Sequence, residues 1–225
     1  EPCFYIYRQE INGFTQIGIV SLVSVEDYDK DIIKKHELTR EEKEKDRVNH
    51  ITLSQAHAEP VFLAFRDNSK INQIITTTIK DKPLYDFSSE DGVKNTLWKI
   101  SEKNKNQELE TLFLKEVNYL YIADGHHRAK ASSLTCEAMK KNNPKHTGQE
   151  SYNYFMAVIF PSSQLRIMPY NRVLKNSLKM DELKKKTEGI FDIQETSQQK
   201  ANSKGEILCY TQGKTYLLKY KGKIP

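Results

Sequence analysis

The sequence predicts a mixed α/β fold with a curved mixed sheet, helices outside it and a small C-terminal helix-plus-hairpin subdomain. Three observations carry that expectation. Runs of β-branched and aromatic residues recur in both halves of the chain, helix-forming stretches lie between them, and Gly, Pro and Asn punctuate many of the junctions. The chain has 225 residues, 37% hydrophobic and 29% charged. A chain of that size and composition buries about 70% of its unfolded surface, which excludes a wholly disordered protein. The longest apolar runs, such as Ile17 to Val23 with Gly18 and Ser21 inside it, fall well short of the roughly 18 residues of a membrane helix. No membrane partner is expected.

Phe4 to Arg8 and Thr15 to Val25 read as antiparallel strands, because Asn12-Gly13 between them suits a tight hairpin. Thr39 followed by Glu42 has the form of a capping box and predicts a long polar helix over Arg40 to His57, with Lys43, Arg47 and His50 on one face. Pro60 to Phe65 predicts a short buried strand, Ser69 to Ile79 a helix, Asp81-Lys82-Pro83 a turn and Val93 to Ile100 another strand. Leu109, Leu112 and Phe113 stand at helical spacing within Gln107 to Lys115, and Tyr119 to Ala123 then changes to a buried strand. Asp124-Gly125 stops that strand, His126 to Lys141 favours a helix, and Asn142-Asn143-Pro144 ends it. The polar stretch to Ser151 is expected to be a mobile loop. Strands over Tyr154 to Phe160 and Leu165 to Met168 flank a Pro161-Ser162-Ser163 turn. From Met180 the pattern reads helix, strand, polar helix, then a hairpin turning at Gln212-Gly213. Trp98, Tyr85 and Phe87 are expected in the core or in a pocket wall rather than as a stacking platform.

The net charge is +5, with acidic residues interleaved among the basic ones. That balance permits an anionic ligand but marks no nucleic-acid surface, and no helix-turn-helix pattern is present. The three cysteines, Cys3, Cys136 and Cys209, include no CxxC pair. They indicate neither a disulfide framework nor a zinc ribbon and fit a reducing cytoplasm. Glu1-Pro2 leads straight into a strand without a basic-then-apolar leader, so the chain reads as a piece of something longer.

Chemistry concentrates at Tyr121-Ile122-Ala123-Asp124-Gly125-His126-His127-Arg128-Ala129, where a strand ends and a helix starts. The first N–H groups of a helix lack internal partners and carry partial positive charge, so phosphate is favoured there. Gly125 permits close backbone approach, Arg128 offers a bidentate guanidinium, His126 and His127 offer further donors, and Asp124 is an oxygen ligand suited to magnesium. Asp124 taken alone is better accounted for as an N-cap. Two adjacent imidazoles serve neither cap nor core, and their adjacency is not the i, i+4 spacing of zinc ligands. His50 and His57 read as ordinary polar-face histidines.

Asp-Gly-His-His-Arg after an apolar strand resembles the phosphate-binding motif of the ParB and sulfiredoxin-like superfamily. The chain as a whole resembles domain-of-unknown-function family 1015, a group related to the ADP-dependent free serine kinases. Phe4 to Gln9, Lys35-His36-Glu37-Leu38-Thr39 with Lys43, Asp46 and Arg47, Glu59 to Phe62, Leu84 to Phe87 and Met168-Pro169-Tyr170-Asn171-Arg172 are similar to that family's blocks, from Glu1 to Lys175. Members are usually longer at the front, and their last block commonly carries histidine where Asn171 stands. The resemblance implies a ParB/sulfiredoxin-like main domain over 1–175 and a subdomain over 176–225 packed on it. It implies phosphate binding by Gly125, His126 and Arg128, magnesium held by Asp124, and catalytic roles for Asp124 and His126; His127 stands at the motif's variable place and is a phosphate-binding candidate from its position at the helix start. An upstream glutamate serves as base in the kinases; Glu37, beside His36 and before the polar helix, is the candidate, with a solvated carboxylate as the competing account. Arg172 and Arg47 are candidate anion contacts, against surface ion pairs. The implied cofactors are ADP or ATP with Mg2+. The implied activity is phosphoryl transfer from the nucleotide to a small hydroxylated substrate such as free L-serine, with a non-catalytic nucleotide or phosphometabolite sensor as the alternative.

Overall fold

The computed structural model describes residues 2–168, 170–175 and 179–223. Glu1 and Pro169, both within the family-like blocks, lie outside the described residues, as do 176–178 and 224–225 of the expected subdomain. The chain divides into two compact units, Glu1–Leu165 and Arg166–Pro225.

The first unit opens with the hairpin that Asn12-Gly13 predicts. Both residues take positive φ, 49° and 75°, which suits a two-residue turn matched to strand twist. Strands β1 (Tyr5–Ile11) and β2 (Phe14–Ser24) pair antiparallel with Ile11 opposite Phe14. A short helix α1 (Val25–Asp29), capped by the Ser24 hydroxyl, and a two-residue strand β3 (Ile33–Lys34) follow. Then come α2 (Glu41–Ser54), β4 (Val61–Phe65), α3 (Ser69–Thr78), β5 (Tyr85–Ser88), β6 (Lys94–Lys99) and α4 (Lys103–Glu116). The unit closes with β7 (Leu120–Asp124), α5 (His126–Asn142) and β8 (Tyr154–Pro161).

The eight strands form one sheet in the order β3-β7-β4-β8-β2-β1-β6-β5. The sheet is mixed: β3 with β7 and β4 with β8 are parallel, and the other pairings are antiparallel. Ile6, Ile19, Leu63, Phe65, Ile122 and Phe155 are buried on it, together with Ile71 and Ile75 of α3, Leu109 of α4 and Ala129 of α5. Gly18 is a packing requirement, since a Cβ there would meet the Phe160 ring at 2.8 Å. Trp98 is buried as expected and donates its indole N–H to the Asp81 carbonyl at 3.0 Å.

Several expectations are corrected. The Thr39 capping box does not form: α2 starts one residue later, its N-cap Arg40 makes no side-chain cap bond, and the Arg40 N–H goes to His127. Tyr85 and Phe87 are exposed on β5, an outer strand that exists because β6 offers it a ladder. Strand β7 is half-buried rather than buried, with Ala123 and Asp124 exposed, because only the two-residue β3 covers its outer edge. Leu165 to Met168 form no strand: the Leu165 N–H turns back to the Ser162 carbonyl, and Ile167 is exposed. The loop before β8 is knit by Glu150, which accepts from the Thr147 and Gly148 amides and the Thr147 hydroxyl.

The second unit contains α6 (Met180–Thr187) and a three-stranded antiparallel sheet in the order β10-β11-β9, from β9 (Phe191–Glu195), β10 (Glu206–Thr211) and β11 (Lys214–Tyr220). Gln212 and Gly213 make its hairpin turn with positive φ. The polar helix expected between β9 and β10 is irregular backbone, held by local side chains: Thr196 accepts from the Gln198 N–H and Glu206 from the Asn202 N–H. Among the described residues, no helix is long and apolar enough to cross a membrane.

Candidate functional site

The junction of β7 and α5 is built around Gly125. Its φ of +97° is a left-handed conformation that disfavours side chains, and a Cβ would stand 3.2 Å from Cζ and Nε of Arg128. Gly125 itself is the N-cap of α5, without a side-chain bond, so the capping account of Asp124 is overturned. Asp124 instead accepts at Oδ2 from Nη2 of Arg128. Nη1 of Arg128 donates to the Pro60 carbonyl, and its Nε lies 3.8 Å from Glu59. Arg128 therefore ties the end of β7 and the loop entering β4 to the first turn of α5.

That arrangement leaves the helix start open. The N–H groups of His126, His127 and Arg128 have no hydrogen-bond partner among the described residues, while the Ala129 N–H closes onto the Gly125 carbonyl. Three unpaired amides at the positive end of a 17-residue helix favour an anion.

The two imidazoles have separate roles. His126 is 4% exposed and meets the His36 ring edge-on, with centroids 4.4 Å apart. Its Nε2 accepts the His36 N–H at 3.4 Å, which leaves the proton on Nδ1, 3.5 Å from a Glu37 carboxylate oxygen. Burial lowers the His126 pKa, the His36 charge lowers it further, and Glu37 and Asp124 restore part of it. His127 accepts the Arg40 N–H on Nε2 at 3.1 Å. Both rings thus hold the segment that leads into α2, a helix with no buried side chain of its own.

A cleft of about 440 Å³ lies alongside, lined by Glu37, Lys43, Asp46, Arg47, Glu59 and the run Asp124 to Arg128. It gathers Glu37, Asp124, Gly125, His126, His127, Arg128 and Arg47 from the sequence-based set. Arg172 lies in the second unit, exposed and in irregular backbone. Lys43 and Arg47, one turn apart on α2, form no ion pair among the described residues. They are the free cations of the cleft, whereas Arg128 is already engaged. Glu37 is 62% exposed, so the desolvated pocket expected around it is not formed. No spacing in the sequence signals the approach of Glu59 to Arg128 or of the His36 ring to His126, because each pair is far apart along the chain.

No group of three or more His, Cys, Asp or Glu side chains among the described residues is placed to enclose a metal ion. Of the cleft's side chains, Asp124 would be the one to hold magnesium, as an ion brought on phosphate oxygens that keeps most of its waters. Among the described residues, Oδ1 of Asp124 makes no hydrogen bond. His50 and His57 lie outside the cleft; His57 bonds the Tyr154 carbonyl, and burial lowers its pKa.

Fold and site together define a mixed α/β protein with a polar, cation-bearing cleft at a strand-to-helix junction. A family model described as a protein of unknown function (DUF1015) matches residues 1–224, and the chain belongs to that family. No curated protein and no solved structure matches it.

Proposed function

We propose that the cleft binds the phosphates of ADP or ATP and that the protein transfers a phosphoryl group to the hydroxyl of a small metabolite, free L-serine being the first candidate. The observation that carries this is the meeting of three unpaired α5 amides with the unpaired cations Lys43 and Arg47 in one cleft. The resemblance of Asp124-Gly125-His126-His127-Arg128 to the phosphate-binding motif of the ParB and sulfiredoxin-like superfamily and its kinase relatives suggests the choice of donor and acceptor.

In this scheme the amides of His126 to Arg128 bind phosphate oxygens, and Lys43 and Arg47 neutralise the charge that develops on them. Arg128 holds Asp124 and the Pro60 carbonyl in place. Magnesium, when bound, neutralises phosphate charge beside Asp124. Glu37 takes the proton of the acceptor hydroxyl as its oxygen bonds to phosphorus. The bridging P–O bond breaks, and its electron pair leaves with the nucleotide. The Nδ1–H of His126 orients Glu37 for that step.

Purified protein incubated with ADP or ATP, magnesium and serine should form phosphoserine detectable by mass spectrometry, and Asp124→Asn should abolish it. Absence of a phosphorylated product from serine and from a panel of hydroxylated metabolites would refute phosphotransfer. The exposure of Glu37 favours a second reading, in which the cleft senses a nucleotide or phosphometabolite without turning it over. Nucleotide would then raise the melting temperature, Lys43→Ala with Arg47→Ala would remove that rise, and no product would form.

A further inference from the structure

The large sheet ends differently at its two margins. Strand β3 is two residues long and offers little to pair with, whereas β5 presents Tyr85-Asp86-Phe87-Ser88, all of them exposed. Native edges are ordinarily blunted by proline, by lysine or by a covering segment. Strand β5 holds neither residue type. Its one charge, Asp86, is drawn back toward β6: Oδ1 accepts from the Thr96 hydroxyl at 3.0 Å and lies 3.7 Å from Nζ of Lys94. Tyr85 and Phe87 share the opposite face with Leu97 and Asn95 and are 60% and 57% exposed, with Leu84 before them at 52%.

The hydrogen-bond pattern fixes which backbone groups this edge offers. The Leu97 carbonyl accepts the Leu84 N–H and the Val93 carbonyl accepts the Ser89 N–H, so alternate residues of β6, Val93, Asn95 and Leu97, face β5. Their partners in the register are Tyr85 and Phe87, and the N–H and C=O groups of Asp86 and Ser88 therefore point outward. Such a strand can pair with a copy of itself about a two-fold axis. A register centred on Asp86 sets that carboxylate against its own copy, and one centred on Ser88 sets Asp86 against Glu90. Both oppose like charges and are disfavoured. The register centred on Phe87 sets ring against ring and each Asp86 against a Ser88, so it alone of these is complementary in charge.

We propose that two copies of this chain pair antiparallel through β5, centred on Phe87, and so join their sheets edge to edge. Asp86 and Ser88 of the two copies exchange backbone hydrogen bonds, and the Phe87 rings meet across the axis with Tyr85 diagonal to them. A Tyr or Phe side chain carries about 150–250 Å², so the rings, Leu84 and the paired backbone of two copies cover roughly 800–1,000 Å². That is the size of a weak, reversible interface, with a dissociation constant on the order of 10 μM. The pairing is independent of the reading of the cleft.

Sedimentation equilibrium of the intact chain from about 1 to 300 μM tests it, and the mass should rise toward that of a dimer across this range. Phe87→Lys, which sets two ammonium groups face to face, should raise the dissociation constant at least about tenfold. Ser88→Pro, which removes an outward N–H, should do the same, and melting temperatures near the parent's show that both variants are folded. Cysteine substitution reports the register. Centred on Phe87, the two Cα atoms of that residue stand about 4.5 Å apart, within disulfide range, and those of Tyr85 about 13 Å apart. Mild oxidation should cross-link Phe87→Cys, but neither Tyr85→Cys nor the parent with its Cys3, Cys136 and Cys209. A chain that stays monomeric at about 300 μM, or a dimer that persists in both Phe87→Lys and Ser88→Pro, would overturn the pairing. Cross-linking of Phe87→Cys no faster than that of Tyr85→Cys or of the parent would overturn the arrangement centred on Phe87.

Discussion

Replacement of Arg128 by alanine removes the brace between three segments and leaves the Pro60 carbonyl without its donor. The bond to that carbonyl is charge-assisted, and its loss costs about 1.5 kcal/mol. The carboxylates of Asp124 and Glu59 are 69% and 56% exposed, so solvent screening limits the two ion pairs together to roughly 0.5 kcal/mol. The sum, about 2 kcal/mol, corresponds to a fall in melting temperature of roughly 4–8 °C for a unit of this size. Differential scanning calorimetry without ligand measures it directly. Arg128→Lys should recover part of the loss, because a lysine keeps the charge but cannot serve two acceptors with a planar fork. A melting temperature of Arg128→Ala within about 1 °C of the parent would refute the bracing role. The guanidinium would then be free for a ligand, as the sequence alone implied.

Four further outcomes are expected. Gly125→Ala should destabilise by about 1–2 kcal/mol in chemical denaturation, since the added Cβ combines positive φ with the 3.2 Å contact to Arg128. Gly18→Ala should cost about 1–3 kcal/mol by overpacking against Phe160, and the partial rescue expected from an added Phe160→Leu change separates packing from backbone effects. Burial pushes the Glu150 carboxyl up, but the Thr147 and Gly148 donors outweigh it and hold the group at about 2, below its ordinary 4.5. Its stabilising effect is therefore complete above pH 4.5 and lost as pH falls toward 2, so Glu150→Gln should lower the melting temperature at pH 7 and flatten the acid limb of the stability curve. His126 titrates below its ordinary 6.5, so the folded state resists its protonation and stability declines as pH drops below that value; imidazole NMR should show this, and Glu37→Gln should move the midpoint lower still.

Much of the fold was legible where local chemistry decides local structure. Asn12-Gly13 and Gln212-Gly213 specify their hairpins, and the change from strand to helix at Asp124-Gly125 lies within a residue of its predicted place. What escaped depends on partners distant in sequence. Strand β5 is four exposed residues made into a strand by β6, and β3 is two residues held by β7. The expected strand at Leu165 to Met168 had the right composition but a backbone already turned back on itself. At the site, residue types were legible and allegiances were not. Arg128 and His127 read as ligand groups, yet their bonds run to Asp124, to Pro60 and to Arg40. Such pairings depend on where the loops before α2 and β4 pass, and no spacing rule encodes that. Lys43 and Arg47 were placed on one helical face from spacing alone, and it is this pair that remains unpaired in the cleft.

The position of β8 sets the order in which the molecule can assemble. It is the last strand of the first unit in sequence, yet it lies in the interior of the sheet between β4 and β2, and among the described residues no other strand joins the two halves. The halves β2-β1-β6-β5 and β3-β7-β4 can each gather from earlier segments, but their seam stays open until residues 154–161 arrive, 130 to 140 positions after their partners on β2. Closure across so long a separation is slow. On a ribosome the two half-sheets wait with bare edges for that final strand, and a break there separates them rather than fraying a margin.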